Sequence, residues 1–186
     1  MRIVVGKFKG MSIEAPRGLL SRPPLAIIRE SIFNILGPSI EGKNLLDLFA
    51  GSGSLGFEAL SRGATGAHFV DSSRRCISMI ARNSGKLGVS DICTMTQQDA
   101  VDFVRQWQGE PFDVIFVDPP FLSGKVAEIL TALPASQAAA DGTLVVARLH
   151  WREEGPVPET YSLLRRRKFG ESVVLFLKSA QPGGMR

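Results

Sequence analysis

Cysteine and histidine are scarce in this chain, with two of each among 186 residues. Cys76 and Cys93 form no Cys-x-x-Cys pair, and His68 and His150 stand at no metal-ligand spacing. Neither a zinc centre nor a disulfide framework is expected, and no metal is implied. The thiols read as buried or idle, and the histidines as structural or exposed. No stretch approaches the roughly 18 consecutive apolar residues that a membrane helix requires. Met1 to Lys7 also lacks the apolar region of a secretory signal, so a cytoplasmic protein away from membranes is expected. Internal repeats are absent. The only low-complexity stretch is Gln181-Pro182-Gly183-Gly184, within a flexible tail expected over 181–186. At 44% hydrophobic, the chain suits one globular fold with a real core, which excludes a disordered chain.

An acidic excess is missing too, and the net charge of +4 is unevenly distributed. Residues 1–30 hold Arg2, Lys7, Lys9, Arg17, Arg22 and Arg29 against Glu14 and Glu30, whereas residues 31–186 carry 16 basic and 16 acidic side chains. A positive end over a neutral remainder points to a polyanionic partner, nucleic acid first; the competing reading is a solvated basic face. Arg165-Arg166-Arg167-Lys168 reads as a solvated strand entrance.

The segments Arg2 to Lys7 and Met11 to Ala15, with Phe8-Lys9-Gly10 between them, suggest a short hairpin. Pro16 to Pro23 reads as a basic loop. From Pro24, apolar residues Leu25, Ile28, Ile32, Ile35 and Leu36 recur at helical spacing until Gly37-Pro38 stops the helix. Residues 1–38 are therefore expected to be an extension before the main fold, which spans 39–180. Within it, strands are expected near 44–49, 66–70, 91–96, 112–117 and 142–147, with helices near 54–62, 73–87, 99–107 and 123–133. That alternation implies a mostly parallel sheet with helices on both faces, an α/β fold. Tyr161 to Leu164 and Ser172 to Leu177 read as a closing pair that brings the sheet to seven strands, at least one of them antiparallel.

Two motifs carry chemistry. Asp118-Pro119-Pro120-Phe121 follows the apolar run Val114 to Val117. The aspartate offers an anionic acceptor, the prolines remove two N–H donors and leave carbonyls, and the phenylalanine gives a ring to stack against. This is a clamp for a planar amino group, although a rigid strand-to-helix turn would have the same sequence. Upstream, Asn44 to Leu48 runs into Phe49-Ala50-Gly51-Ser52-Gly53 and a helix, and the next apolar run ends at Asp71. Gly51 and Gly53 allow a ligand to approach the backbone, and Asp71 stands where a second strand presents a carboxylate to ribose hydroxyls.

The glycine turn after the first strand, Asp71 after the second, Gln98-Asp99-Ala100 after the third and Asp118 to Phe121 after the fourth resemble the Rossmann-like, class I S-adenosylmethionine-dependent methyltransferases. Arg2 to Gly10, Arg22-Pro23, Arg29-Glu30, Phe33 to Leu36 and Leu46 to Gly63 further resemble the bacterial 16S rRNA guanine-N2 methyltransferases, the RsmD family, over essentially the whole chain. The resemblance implies that the Ala50, Gly51, Ser52 and Gly53 backbone surrounds the methionine part of the cofactor and that Asp47 steers its ammonium. It implies Asp71 on the ribose, Asp99 on the adenine amino group and the Ala100 N–H on a ring nitrogen. Asp47 and Asp99 retain a second reading as helix caps or turn formers. The catalytic set is Asp118, Pro119, Pro120 and Phe121, with Asp118 and the Pro119 carbonyl taking the two amino protons and Phe121 stacking an extruded guanine. Arg2, Lys7, Lys9, Arg22 and Arg29 would meet the phosphates of 16S rRNA or of a small-subunit assembly intermediate, with the protein a monomer. Three departures stand out: Pro24-Leu25-Ala26-Ile27-Ile28 replaces the family's usual polar stretch, Ile27 falls at its usual arginine position, and Ala147-Arg148 stands where a glutamate is common. An adenine-N6 DNA methyltransferase, or an inactive rRNA-binding assembly factor, are the competing functions.

Overall fold

The computed structural model describes residues 1–15 and 23–180, in two compact units, Met1–Gln98 and Asp99–Arg186. The expected loop over Pro16 to Arg22 and the expected tail over 181–186 lie outside the described residues.

The first unit opens on a tight turn. Arg2 and Ser12 form one antiparallel bridge, the Ile3 N–H donates to the Met11 carbonyl at 3.1 Å, and the Gly10 N–H donates to the Ile3 carbonyl at 2.9 Å. The expected hairpin is thus reduced to a single bridge. Gly6 and Gly10 take φ of 91° and 82°, which curls the chain before a longer ladder can form. Helix α1 (Pro23–Leu36) follows, burying Ile28, Ile32 and Leu36 one turn apart.

Strands β1 (Asn44–Leu48), β2 (Gly66–Asp71) and β3 (Cys93–Gln97) pair in parallel, with Leu46 opposite His68 and His68 opposite Thr94. Helix α2 (Ser54–Ser61) connects β1 to β2, and α3 (Arg74–Leu87) connects β2 to β3. Parallel strands bury both faces, which explains why Leu45, Leu46, Phe69 and Val70 have no exposed surface at all. Ser73 caps α3 by accepting from the Cys76 N–H, and Gly88 ends it in the left-handed region.

The second unit contains α4 (Ala100–Gln106), β4 (Val114–Val117), α5 (Lys125–Ala132), β5 (Leu144–His150), β6 (Tyr161–Phe169) and β7 (Ser172–Ser179). β4 and β5 are parallel, and β7 runs antiparallel between β5 and β6. All four residues of β4 are buried, so this strand delivers the chain to Asp118 from inside a rigid core. Among the described residues, seven strands with more parallel than antiparallel pairs bear out the expected α/β class. One element differs from expectation: β6 continues through Arg165 to Lys168 rather than ending at Leu164. It lies outermost in its unit and its middle is exposed at every position, so no alternation in the sequence marked it as strand.

Candidate active site

In the first unit, the turn after β1 carries three left-handed residues within five positions: Phe49 at φ 63°, Gly51 at 58° and Gly53 at 78°. For Phe49 that conformation is strained, and it persists because its neighbours are fixed. The Ala50 N–H donates to the Val70 carbonyl at 3.0 Å, and the Ala50 carbonyl accepts from Gly53 N–H at 2.7 Å. Among the described residues, a Cβ on Gly51 would have only the Phe49 carbonyl oxygen nearby, at 3.9 Å, so the backbone borders open space there. A Cβ on Gly53 would instead lie 2.6 Å from the Phe57 ring, so Gly53 serves packing against that ring and not the approach of a ligand.

The acidic residues of that unit brace the turn. Asp71 accepts from the Gly51 N–H through Oδ2 and from the Ser73 N–H through Oδ1, both at 2.8 Å. Asp47, 2% exposed, accepts from the Gly56 N–H at 3.0 Å. Asn83, which the sequence reading passed over, reaches the Ser52 carbonyl at 3.1 Å with the amide that also donates to Glu14. It thereby ties the glycine turn to the end of the N-terminal segment.

In the second unit, Asp99 is the N-cap of α4, accepting from Val101 N–H at 2.8 Å and Asp102 N–H at 3.3 Å through Oδ1. Its Oδ2 stands 3.9 Å from Lys125 Nζ. Ala100 follows as the first helical residue, where an N–H has no partner within the helix.

Asp118 ends β4 with 27% of its side chain exposed, and Arg148 Nε donates to its Oδ1 at 2.5 Å. Burial pushes the Asp118 carboxyl above the ordinary aspartate range, and the Arg148 guanidinium opposes the rise. Pro119 is buried and Pro120 exposed. Phe121 is 37% exposed, with the Arg148 guanidinium 4.7 Å from its ring centre and the His150 ring edge-on at 5.4 Å. Beyond it Leu122 takes a φ of 58°, a strain held by Glu153, whose carboxylate accepts from Leu122 N–H at 2.8 Å and Gly124 N–H at 2.9 Å. Glu153, just after β5, and Arg148, within it, therefore fix the loop after β4.

The basic residues divide. Arg2, Lys7 and Lys9 are exposed, and Arg22 lies outside the described residues. Arg29 is a correction. At 6% exposure it donates to the Arg2 carbonyl at 3.0 Å and to the Met1 sulfur, so it packs the N-terminal turn instead of facing a polyanion. Glu58, 1% exposed, accepts from the Val4 and Val5 N–H groups at 2.9 and 3.1 Å and thereby anchors the turn bearing Lys7 and Lys9 to α2.

A family model described as conserved hypothetical protein 95 matches residues 1–178. Ribosomal RNA small subunit methyltransferase D of Escherichia coli is 33% identical over 97% of this chain and 91% of its own length. The chain belongs to that family. The solved structure of yhhF from Escherichia coli, 31% identical, superposes with a TM-score of 0.87 over 97% of this chain and 98% of that one. A more distant structure, SMU.776 complexed with SAH, shares the fold at 16% identity, with a TM-score of 0.63 over 82% of this chain and 48% of that one.

Within this member of the family, the sequence reading located the glycine turn, Asp71, Asp99 and the Asp118 to Phe121 loop. It missed Asn83, Glu153 and Arg148, which brace the glycine turn and the loop after β4, and Glu58, which anchors the N-terminal turn. Of these, only Arg148 left a signal, as a residue unlike the one common in the family.

Proposed function

We propose that this protein transfers a methyl group from S-adenosylmethionine to the exocyclic N2 of a guanine in small-subunit (16S) ribosomal RNA. The observation that carries this reading is the end of β4, where Asp118 keeps one carboxylate oxygen beyond its bond to Arg148 and Phe121 exposes its ring three residues later. S-adenosylmethionine, when bound, supplies an electrophilic methyl group on a positive sulfonium.

The residues of the first unit fit that cofactor. The turn around Gly51 borders open space and consists of backbone polar groups, while Asp47 matches an ammonium. Asp71 gives each oxygen to one backbone N–H, and a carboxylate accepts about four bonds, so lone pairs remain for two ribose hydroxyls. In the second unit, Asp99 retains Oδ2 for the adenine amino group and Ala100 offers its N–H to a ring nitrogen.

The lone pair of guanine N2 is delocalised into the ring, so the protein must orient the amino group. Asp118 Oδ2 and the Pro119 carbonyl accept its two N–H bonds, which draws the nitrogen out of conjugation and aims it. Phe121 stacks the extruded base. The proton lost by nitrogen passes to Asp118 Oδ2, a carboxylate made more basic by burial, a rise that Arg148 opposes. Residues 1–38 act as the RNA-binding extension, with Arg2, Lys7 and Lys9 on phosphates, and residues 39–180 as the catalytic domain. The protein works in the cytoplasm as a monomer on rRNA or an assembling small subunit.

Incubation with methyl-labelled cofactor and either small-subunit rRNA particles or duplex DNA tests the reading. Label in guanine N2 of the rRNA is expected; label only in DNA adenine, or none anywhere, overturns it.

A further inference from the structure

Beyond the clamp, the second unit continues in a line of rings and cations that the reaction does not use. His150, 5% exposed, sits between two exposed rings: its centre is 5.4 Å from that of Phe121 and 5.8 Å from that of Trp151. Its Nδ1 accepts from the Arg152 N–H at 3.1 Å, so the ring is fixed in the turn that begins the 3-10 helix Trp151–Glu153. Trp151 is 44% exposed although two cations already flank it, Arg152 at 5.3 Å and Lys168 at 5.5 Å from its ring centre. Lys168 comes from the far end of β6, whose basic stretch stays paired with β7 as far as Phe169.

An exposed indole between two cations, one ring removed from a second exposed ring, is costly to leave in water and supplies stacking and charge together. Aromatic platforms with flanking Arg and Lys are how proteins hold single-stranded nucleic acid: bases stack on the rings and phosphates meet the cations. The sign of the charge favours a polyanion over a basic partner, and a duplex hides its base faces from such a platform. We propose that Trp151, set beside Phe121 by the buried His150, continues the stacking surface into a track, with Arg152 and Lys168 on its phosphates, and binds the single-stranded RNA nucleotide flanking the target guanine. This rests on the reading above that the guanine itself stacks on Phe121, and it adds a second RNA contact on a different unit from Lys7 and Lys9.

The test measures binding of a fluorescent single-stranded RNA oligonucleotide, with a blunt duplex RNA as the comparison, to the full chain. Trp151→Ala is expected to weaken single-strand binding by about 10- to 100-fold with its salt dependence retained. Trp151→Phe is expected to restore most of that loss, and the duplex affinity to change little. The double substitution Arg152→Gln with Lys168→Gln should instead flatten the salt dependence, by a slope of roughly 1.4 for two single-strand phosphates. Calorimetric binding of S-adenosylmethionine by each variant checks that it is folded. Unchanged single-strand binding by Trp151→Ala, or equal losses for single strand and duplex, overturns the track. Methyl transfer by the unsubstituted protein is scored separately, so failure of the enzyme reading is distinguishable from failure of the track.

Discussion

Arg148 donates from Nε to Asp118 Oδ1 at 2.5 Å, joining residues 30 positions apart, and the same guanidinium lies 4.7 Å from the centre of the Phe121 ring. One side chain thus opposes the burial-driven rise of the Asp118 carboxyl and lies against the Phe121 ring. The pair is formed because β4 and β5 are parallel neighbours, with Val117 opposite Ala147, so Asp118 just past β4 emerges beside Arg148 within β5.

Asp118→Ala should abolish methyl transfer while leaving S-adenosylmethionine binding intact. Removing a positioned proton acceptor costs about 100- to 10,000-fold in rate. Single-turnover transfer measured beside calorimetric cofactor binding separates the two effects, and a fully active variant would remove the clamp from the mechanism.

Arg148→Ala should move the acid limb of the pH–rate profile to higher pH. Burial already raises the Asp118 carboxyl and Arg148 opposes that rise. Without the guanidinium the carboxyl climbs further, so the ionised form needed for transfer disappears at a higher pH as acid is added. Arg148→Lys should shift the limb less. An unmoved limb in the alanine variant would show that Asp118 ionisation does not govern the rate.

Acid should weaken the fold through His68. Burial in β2 lowers its pKa to about 4 from an ordinary 6.5, and its Nε2 lies 2.8 Å from Thr96 Oγ1. The unfolded chain takes up the proton first. Stability is therefore full above pH 6.5 and falls between pH 6.5 and about 4 by roughly 3 kcal/mol, then levels off once both states are protonated. Urea unfolding across that range should show the decline, and His68→Gln should flatten it.

Gly6→Ala should detach the basic turn. Gly6 takes a φ of 91°, and a Cβ there would lie 1.8 Å from the Ser61 carbonyl oxygen, which also accepts the Lys7 N–H at 2.7 Å. Strain and the lost contact together should lower stability by roughly 2–4 kcal/mol. Because Lys7 and Lys9 move with the turn, rRNA affinity should fall while cofactor affinity holds. Equal loss of both would mean that the turn supports the cofactor region as well.

The sequence was a good guide wherever a few consecutive residues decide the structure. The expected strand near 44–49 is Asn44–Leu48, the helix near 73–87 is Arg74–Leu87, and the helix near 99–107 is Ala100–Gln106. Hydrophobic period, a cap and a glycine are local information, and they suffice for these elements. The resemblance carried by the glycine turn and by Asp118 to Phe121 is local in the same sense. It fixed the family before any coordinates, and the match over residues 1–178 agrees.

Partnership between distant side chains was not legible. Arg29 looked like one more cation of a basic surface, yet folding turned it inward onto the Arg2 carbonyl. Arg165 to Lys168 looked like solvated charge at a strand entrance, yet β6 carries Lys168 to the Trp151 ring. His150 was set aside as structural or exposed, and it proves to be the buried spacer between two exposed rings. By itself the sequence determined the α/β class and the family and singled out the acid Asp118, because each is encoded in short runs. Only the tertiary structure decided what holds and extends that acid, Arg148, Glu153 and the track to Trp151. Strand pairing sets which loops meet, and the charge and burial of each group follow from its neighbours in space rather than in sequence.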